Sequence, residues 1–366
     1  MKYLKNTVQT IFVVLGKGCN FNCRYCMQNE TQKSGIVYPT EINEDIYEFI
    51  KEIGENQDKP LYVHFYGGEP LLYKDKLKTI TKRLYGSKNI LFSVITNGSL
   101  IDEEMVQFFN DYNFAVNISW DGKFSSKTRK RNVFEENKEN LLKINSLGIA
   151  AVISAATPLD ELLDSMQELA NEYRDKTGHT PRVILDEIFD MDIVDRSLLD
   201  VDYEKYSTIS RNIAKECLDI KTNKIKLTRE EFEQKYWAKM SFFDKIYGNI
   251  QRYAMRPDNC VYYMVHCCNG VEVLSLDLEG NLYSCHNCDI KIGTIYSDFV
   301  CYLDNLVKND NTRYFYEKYC KDCPVYPACR GGCKLILEKA RNETYCNMKK
   351  AIFTPILEEI LASAQS

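Results

Sequence analysis

Short apolar, β-branched runs recur along the chain at Thr10–Leu15, Leu61–Tyr66, Ile90–Thr96, Phe114–Ser119, Ile149–Ala155 and Val183–Ile188. Runs of this length and composition predict strands. Between them, apolar positions fall at helical spacing over Ile42–Ile53, Lys74–Leu84, Glu103–Phe109, Val133–Leu147 and Leu159–Tyr173. The alternation predicts an α/β fold with a parallel sheet and right-handed crossovers. Six such units closing into an open, partial (β/α)6 barrel is the economical arrangement. From about Val201 to Tyr253 the pattern changes to long, charged helices, Asp202–Leu218 and Arg229–Tyr247, which lead into a cysteine-rich tail. The expected organisation is a barrel over 1–200, a helical bridge over 201–258, the tail over 259–350 and a last helix over 351–366.

Composition narrows the class. The chain has 366 residues, 45% hydrophobic and 27% charged, as expected of a folded globular protein rather than a disordered one. No apolar run reaches the roughly 18 residues of a membrane span, and Met1–Thr7 lacks the apolar core of an export signal. The expected location is cytoplasmic. A net charge of −5 with interspersed lysines and acids offers no basic field, so neither nucleic acid nor membrane is an expected partner. Fifteen cysteines without an export signal read as metal ligands rather than disulfides, in an oxygen-poor setting.

The chemistry begins just after the first strand, where GKGCNFNCRYC carries Cys19, Cys23 and Cys26. A [4Fe-4S] cluster normally takes four protein ligands, so three thiols on one tight loop leave one iron open. Structural zinc wants a closed set of four, and no fitting fourth ligand lies nearby. The second strand runs into Tyr66-Gly67-Gly68-Glu69-Pro70, the third into Thr96-Asn97-Gly98 and the fourth into Ser119-Trp120-Asp121-Gly122. In parallel barrels the chemistry gathers at the C-terminal ends of the strands, so these motifs are expected to converge. Each Gly-containing pair is also an ordinary turn when taken alone.

The cysteine triplet and the GGEP segment together resemble the radical S-adenosylmethionine enzymes. The resemblance implies a partial TIM-type barrel and reductive cleavage of S-adenosylmethionine by a [4Fe-4S] cluster on Cys19, Cys23 and Cys26. It also implies that Gly67, Gly68 and Glu69 hold the methionine ammonium of the cofactor. By the same matching, Asn97, Ser119 and Arg131 are cofactor-binding, and Tyr25 lies near the adenine. Arg129 and Lys130 are alternative arginine-region cations in a run that also reads as a solvated surface.

In the tail, Cys268 is followed by Gly280 and Cys285, and then by Cys320, Cys323, Cys329, Cys333 and Cys346. This order resembles the SPASM extension of peptide maturases and anaerobic sulfatase-maturing enzymes, whose members carry two auxiliary [4Fe-4S] clusters, three clusters in all. Matching implies an outer cluster on Cys320, Cys323, Cys329 and Cys346. It implies an inner one on Cys285, Cys333 and either Cys267 or Cys268, with Cys260 as the fourth ligand. The spacing from Cys320 to Cys333 alone would also suit zinc. Of the remaining cysteines, Cys217 and Cys301 read as core, whereas Cys288 lies only three residues beyond a ligand.

The implied reaction is oxidation of a peptidyl side chain, either a thioether or carbon-carbon crosslink in a ribosomally made peptide or formylglycine formation in a sulfatase. A scaffold or electron carrier is the reading of another class, and the GGEP segment argues against it. In sulfatase maturases an aspartate that follows the inner-cluster cysteine takes the substrate proton; here His286 holds that position, with Asp289 nearby. Histidine can serve as a base near neutral pH or as a hydrogen-bond donor to sulfur. The 18 residues before Cys19 are too few for a leader-binding domain, so a peptide substrate would use another surface or partner. The electron source is expected to be a low-potential flavodoxin or ferredoxin.

Overall fold

A computed structural model describes residues 7–28, 41–191, 195–255, 269–341 and 343–365. The six predicted strands form as β1 (Thr10–Val14), β2 (Leu61–Tyr66), β3 (Ile90–Thr96), β4 (Ala115–Ser119), β5 (Leu147–Ile153) and β6 (Arg182–Glu187). Each pairs in parallel with its predecessor. Three tail strands extend the sheet on the other side of β1. The first, β7 (Val273–Asp277), is parallel to β1, and β8 (Asn281–Tyr283) and β9 (Lys291–Thr294) follow antiparallel. The sheet remains open, with β6 at one edge and β9 at the other, as a partial barrel requires.

Residues alternate faces along each strand. Ile11, Val13, Val63, Phe65, Val94, Val116 and Ile118 point outward and are fully buried under the crossover helices. Each such side chain stabilises the fold by about 1.5–3 kcal/mol. The inner face is more polar: Ser275, Phe12, His64 and Ser93 share one register row across β7, β1, β2 and β3. Recruitment of β7 goes beyond the six-strand expectation. Its sequence VLSLD has the same alternation, with Leu274 and Leu276 in the core and Ser275 and Asp277 on the other face.

The crossover helices follow their sequence signals. The Asp102 side chain accepts from Met105 N at the start of Glu103–Asp111, and Gly178 in the left-handed region ends Leu159–Thr177. Two predicted helices differ. Val133–Leu147 is two short helices, Val133–Glu136 and Lys138–Leu141, because Asn137 leaves helical geometry and its amide bonds the carbonyls of Gly98 and Ile101. Arg229–Tyr247 breaks at Tyr236 into Arg229–Lys235 and Trp237–Ala254, where Trp237 Nε1 donates to Pro181 O at 2.9 Å. Cys217 is core as expected, but Cys301 is exposed, since its helix Phe299–Lys308 buries Tyr302 instead. No helix of the described residues is long and apolar enough to cross a membrane.

Candidate active site and cluster-binding tail

The cysteine loop and the GGEP segment meet backbone to backbone. Gly68 N donates to Gly16 O at 3.1 Å and Glu69 N to Gly18 O at 2.8 Å. A Cβ on Gly67 would lie 2.2 Å from Gly16 O, and one on Gly68 would lie 2.3 Å from the carbonyls of Lys17 and Gly18. The paired glycines therefore let the second strand end clasp the loop that carries Cys19, Cys23 and Cys26. Burial raises the pKa of the Cys19 thiol and pushes that of Cys23 up to about 12, so neither is a ready thiolate without a positive partner such as a metal centre.

Glu69 is buried beneath this clasp. Its carboxylate accepts from Thr96 Oγ1 at 2.6 Å, Leu71 N at 2.9 Å and Asn97 N at 2.7 Å. Burial raises its pKa and these three bonds oppose the rise. Asn97 donates to Asn20 Oδ1 at 2.8 Å, tying the third strand end to the cysteine loop. Ser119 closes β4 opposite Ala150.

One cluster had no sequence signal strong enough to single it out. Asp121, fully buried, accepts from Tyr25 Oη, Thr128 Oγ1 (2.6 Å), Arg129 Nε (3.1 Å) and Val152 N (3.0 Å). Burial disfavours the Arg129 charge, yet Asp121 and Tyr25 beside it hold its pKa above the usual value. Its guanidinium lies over the Tyr25 ring at 5.3 Å. Arg131, by contrast, is at the surface, paired with Glu136 and 5.1 Å over the Phe21 ring of the same loop. The inward cation of the basic run is thus Arg129, a choice that three adjacent cations could not reveal.

The tail reaches the loop through residues 284–289. Lys17 Nζ donates to His286 O at 2.9 Å, while Gln28 Nε2 (2.8 Å) and Tyr66 Oη (3.0 Å) donate to Asn287 Oδ1. Lys334 Nζ bonds Ser284 O from the other side. The His286 ring stacks on Phe12 at 4.1 Å and meets Tyr66 edge-on at 4.5 Å. Its Nδ1 is buried with no hydrogen-bond partner among the described residues, and burial lowers its pKa to about 3, so it is a neutral imidazole. Asp289, Lys17 and Cys288 line one small pocket with it.

Farther out, Cys320, Cys323, Cys329 and Cys346 line a single cavity with Arg341 and Lys349. Among the described residues no three His, Cys, Asp or Glu side chains meet closely enough for a single metal ion. Four soft thiol donors around one cavity are a donor set that suits a [4Fe-4S] cluster. Cys333 is held beside this region by Arg341, which donates to its carbonyl at 2.9 Å. Cys260, Cys267 and Cys268 lie outside the described residues. A polar depression of about 620 Å³ lined by Thr7, Glu55, Lys88 and Glu272 opens at the opposite ends of the strands, away from every motif above.

The open parallel barrel and the three-cysteine loop at its rim lie in the part of the chain that the Radical SAM superfamily model matches, residues 13–173, and this part is a radical SAM domain. Such a domain implies S-adenosylmethionine and a [4Fe-4S] cluster. Over its length the chain is similar to a cysteine-type anaerobic sulfatase-maturating enzyme of Clostridium novyi, 23% identical over 95% of each protein. It is 30% identical over 131 residues to the radical SAM cyclopropyl synthase TigE of Paramaledivibacter caminithermalis, where the match spans 31% of this chain and 27% of TigE. Among solved structures, native anSMEcpe with bound AdoMet has a TM-score of 0.64 at 18% identity, covering 97% of this chain and 99% of that one. SuiB of Streptococcus suis has a TM-score of 0.58 at 14% identity, covering 90% and 74%.

Proposed function

We propose that this radical SAM enzyme oxidises a side chain of a ribosomally made peptide, closing a thioether or carbon-carbon crosslink. The observation that carries the reading is the docking of the turn 284–289 on the cysteine loop through Lys17 and Gln28. It brings Cys285, matched to the inner auxiliary cluster, next to the rim where the cofactor motifs converge. When bound, S-adenosylmethionine and its cluster supply a hydrogen-abstracting radical; an auxiliary cluster at this turn would accept the second electron of a two-electron oxidation.

The chain's own residues have separate tasks in this reading. Cys19, Cys23 and Cys26 hold the first cluster. Gly67, Gly68, Glu69, Asn97, Ser119 and Tyr25 frame the cofactor, and Arg129, the inward cation of the basic run, takes the place expected of Arg131 and fixes Tyr25 from behind. His286 and Asp289 are the candidate proton acceptors; the burial that keeps the imidazole neutral also makes it a weak base, which leaves Asp289 the better placed of the two. A low-potential flavodoxin or ferredoxin would deliver the electron.

Formylglycine formation is the second reading, favoured by the match across 95% of both chains to the Clostridium novyi maturase. The test is anaerobic reconstitution, addition of S-adenosylmethionine and reductant, and mass spectrometry of a peptide bearing Cys-x-Pro-x-Arg. Conversion to the aldehyde supports the maturase reading. An unchanged peptide, with a mass loss of two hydrogens in a precursor peptide encoded nearby, supports the crosslinking one.

A further inference from the structure

Arg341 is a buried cation, 3% exposed, whose terminal nitrogens donate to backbone carbonyls rather than to a carboxylate. One reaches Gly331 O at 3.1 Å and the other Cys333 O at 2.9 Å. The guanidinium lies over the Phe315 ring at 3.9 Å, which fixes its plane. Its Nε is buried with no hydrogen-bond partner among the described residues. A buried charge is costly unless it is paired or serves a metal centre, and a buried donor left open calls for a ligand.

Arg341 lines one cavity together with Cys320, Cys323, Cys329 and Cys346. Burial pushes the Cys320 thiol up to about 11 and raises that of Cys333, and the Arg341 charge opposes the rise at both. The second buried cation on this cavity, Lys349, is engaged differently: its Nζ bonds Glu187 Oε2, with both side chains buried. The carboxylate compensates the lysine, whereas the open Nε–H of Arg341 stands beside four thiol donors.

We propose that Arg341 sets the reduction potential of the outer auxiliary cluster, its Nε–H donating to sulfur of the group held by Cys320, Cys323, Cys329 and Cys346. The assignment rests on the auxiliary-cluster reading of the tail. A thiolate-ligated cluster gains negative charge on reduction, and a buried guanidinium bonded to its sulfur favours the reduced form. Arg341 therefore raises the potential of this cluster and suits it to take up an electron. Through the Cys333 carbonyl the same side chain also joins the outer cavity to a cysteine matched to the inner cluster.

The experiment uses anaerobically reconstituted full-length protein and its Arg341→Lys, Arg341→Gln, Lys318→Gln and Cys320→Ala variants. The readouts are iron and sulfide content, potentiometric titration followed by EPR, and pulsed EPR of protein grown on arginine with heavy nitrogen in the guanidinium. The EPR signal that Cys320→Ala loses is that of the outer cluster. In the parent this signal should couple to arginine nitrogen, and Arg341→Lys should lose the coupling. At the parent's midpoint potential, the ratio of reduced to oxidised outer cluster should fall about tenfold in Arg341→Gln, a shift of about 59 mV for one electron. Lys318→Gln, which removes an exposed charge paired with Glu338, should titrate as the parent does. The label is read in the unmutated protein, so the coupling tests the proposal even where Arg341→Gln loads iron poorly. No arginine coupling on the outer signal, coupling that survives in Arg341→Lys, or a parent-like midpoint in iron-replete Arg341→Gln would overturn the proposal. Parent-like iron and EPR in Cys320→Ala would instead overturn the underlying reading.

Discussion

Lys17 Nζ in the cysteine loop donates to the backbone carbonyl of His286 at 2.9 Å, joining positions 269 residues apart. Burial lowers the lysine's pKa, and Asp289 and Cys288 close by work in the other direction. A hydrogen bond from a charged donor at a buried site contributes about 1.5–3 kcal/mol. Lys17→Met should therefore lower unfolding stability by about that amount in urea titrations. It should also separate the two halves functionally, with 5'-deoxyadenosine still formed but peptide product reduced at least tenfold. Parent-like coupling in this variant would remove the docking turn from the mechanism.

Asp121 gathers four donors at a fully buried carboxylate and compensates the buried Arg129 charge. Removing one partner of a buried ion pair leaves an uncompensated charge and costs about 3–5 kcal/mol, whereas replacing both with apolar residues often costs less. Asp121→Leu alone should be strongly destabilising, and Asp121→Leu with Arg129→Met should recover part of the loss. Chemical denaturation of the single and double variants measures the coupling. Strict additivity would mean that the pair is not an energetic unit.

The six barrel strands were legible because each has one apolar face and turn residues at its ends; β2 and β3 have the predicted bounds. Helix breaks were not, since Asn137 interrupts its helix through long-range bonds to Gly98 and Ile101 that no local pattern encodes. The meeting of the cysteine loop with the GGEP segment was legible from their places at two strand ends. Arg129 was not, because which of three adjacent cations turns inward is decided by Asp121, eight residues earlier, and by the space under Tyr25. The role of β7 was hidden by its neighbours: cysteines framed the segment as tail, while its alternation of Leu and polar residues suited it to the edge of β1.

His64 lies in the barrel's inner row, with Nδ1 2.6 Å from Ser93 Oγ, and burial lowers its pKa from 6.5 to about 4. Below pH 6.5 the unfolded chain takes up a proton that the folded protein refuses. Stability from this residue is thus intact above pH 6.5, falls as pH drops toward 4, and is constant below. The loss amounts to about 3 kcal/mol over that window. In His64→Gln the stability difference from the parent should change by that amount between pH 7 and 4, measured by denaturant titration at each pH. A pH-independent difference would place the proton elsewhere.

Gly68→Ala should force the GGEP segment off the cysteine loop, because the added methyl meets two backbone carbonyls at 2.3 Å and backbone cannot rotate away. Overpacking of this kind costs about 1–3 kcal/mol, and here the shift also moves Cys19. Reduced iron after reconstitution should accompany the lower Tm. Gly248→Ala, in the helix Trp237–Ala254 with nothing within 4 Å of the new methyl, is the matched control. It should raise stability by about 0.4–1 kcal/mol through the unfolded chain's lost freedom.

The cysteines of the loop and those of the outer cavity should fail differently. Cys23 stands on the loop clasped by Gly67 and Gly68, whereas Cys323 lines the cavity with Cys320, Cys329 and Cys346. Cys23→Ala should abolish 5'-deoxyadenosine formation altogether. Cys323→Ala should leave measurable, uncoupled cleavage of S-adenosylmethionine while peptide product disappears, since in the proposed reading the loop keeps all three of its thiols. Quantifying 5'-deoxyadenosine and modified peptide by liquid chromatography in the same reaction separates the two. Equal and complete loss in both variants would mean that the tail supports the fold of the loop itself rather than the electron's exit.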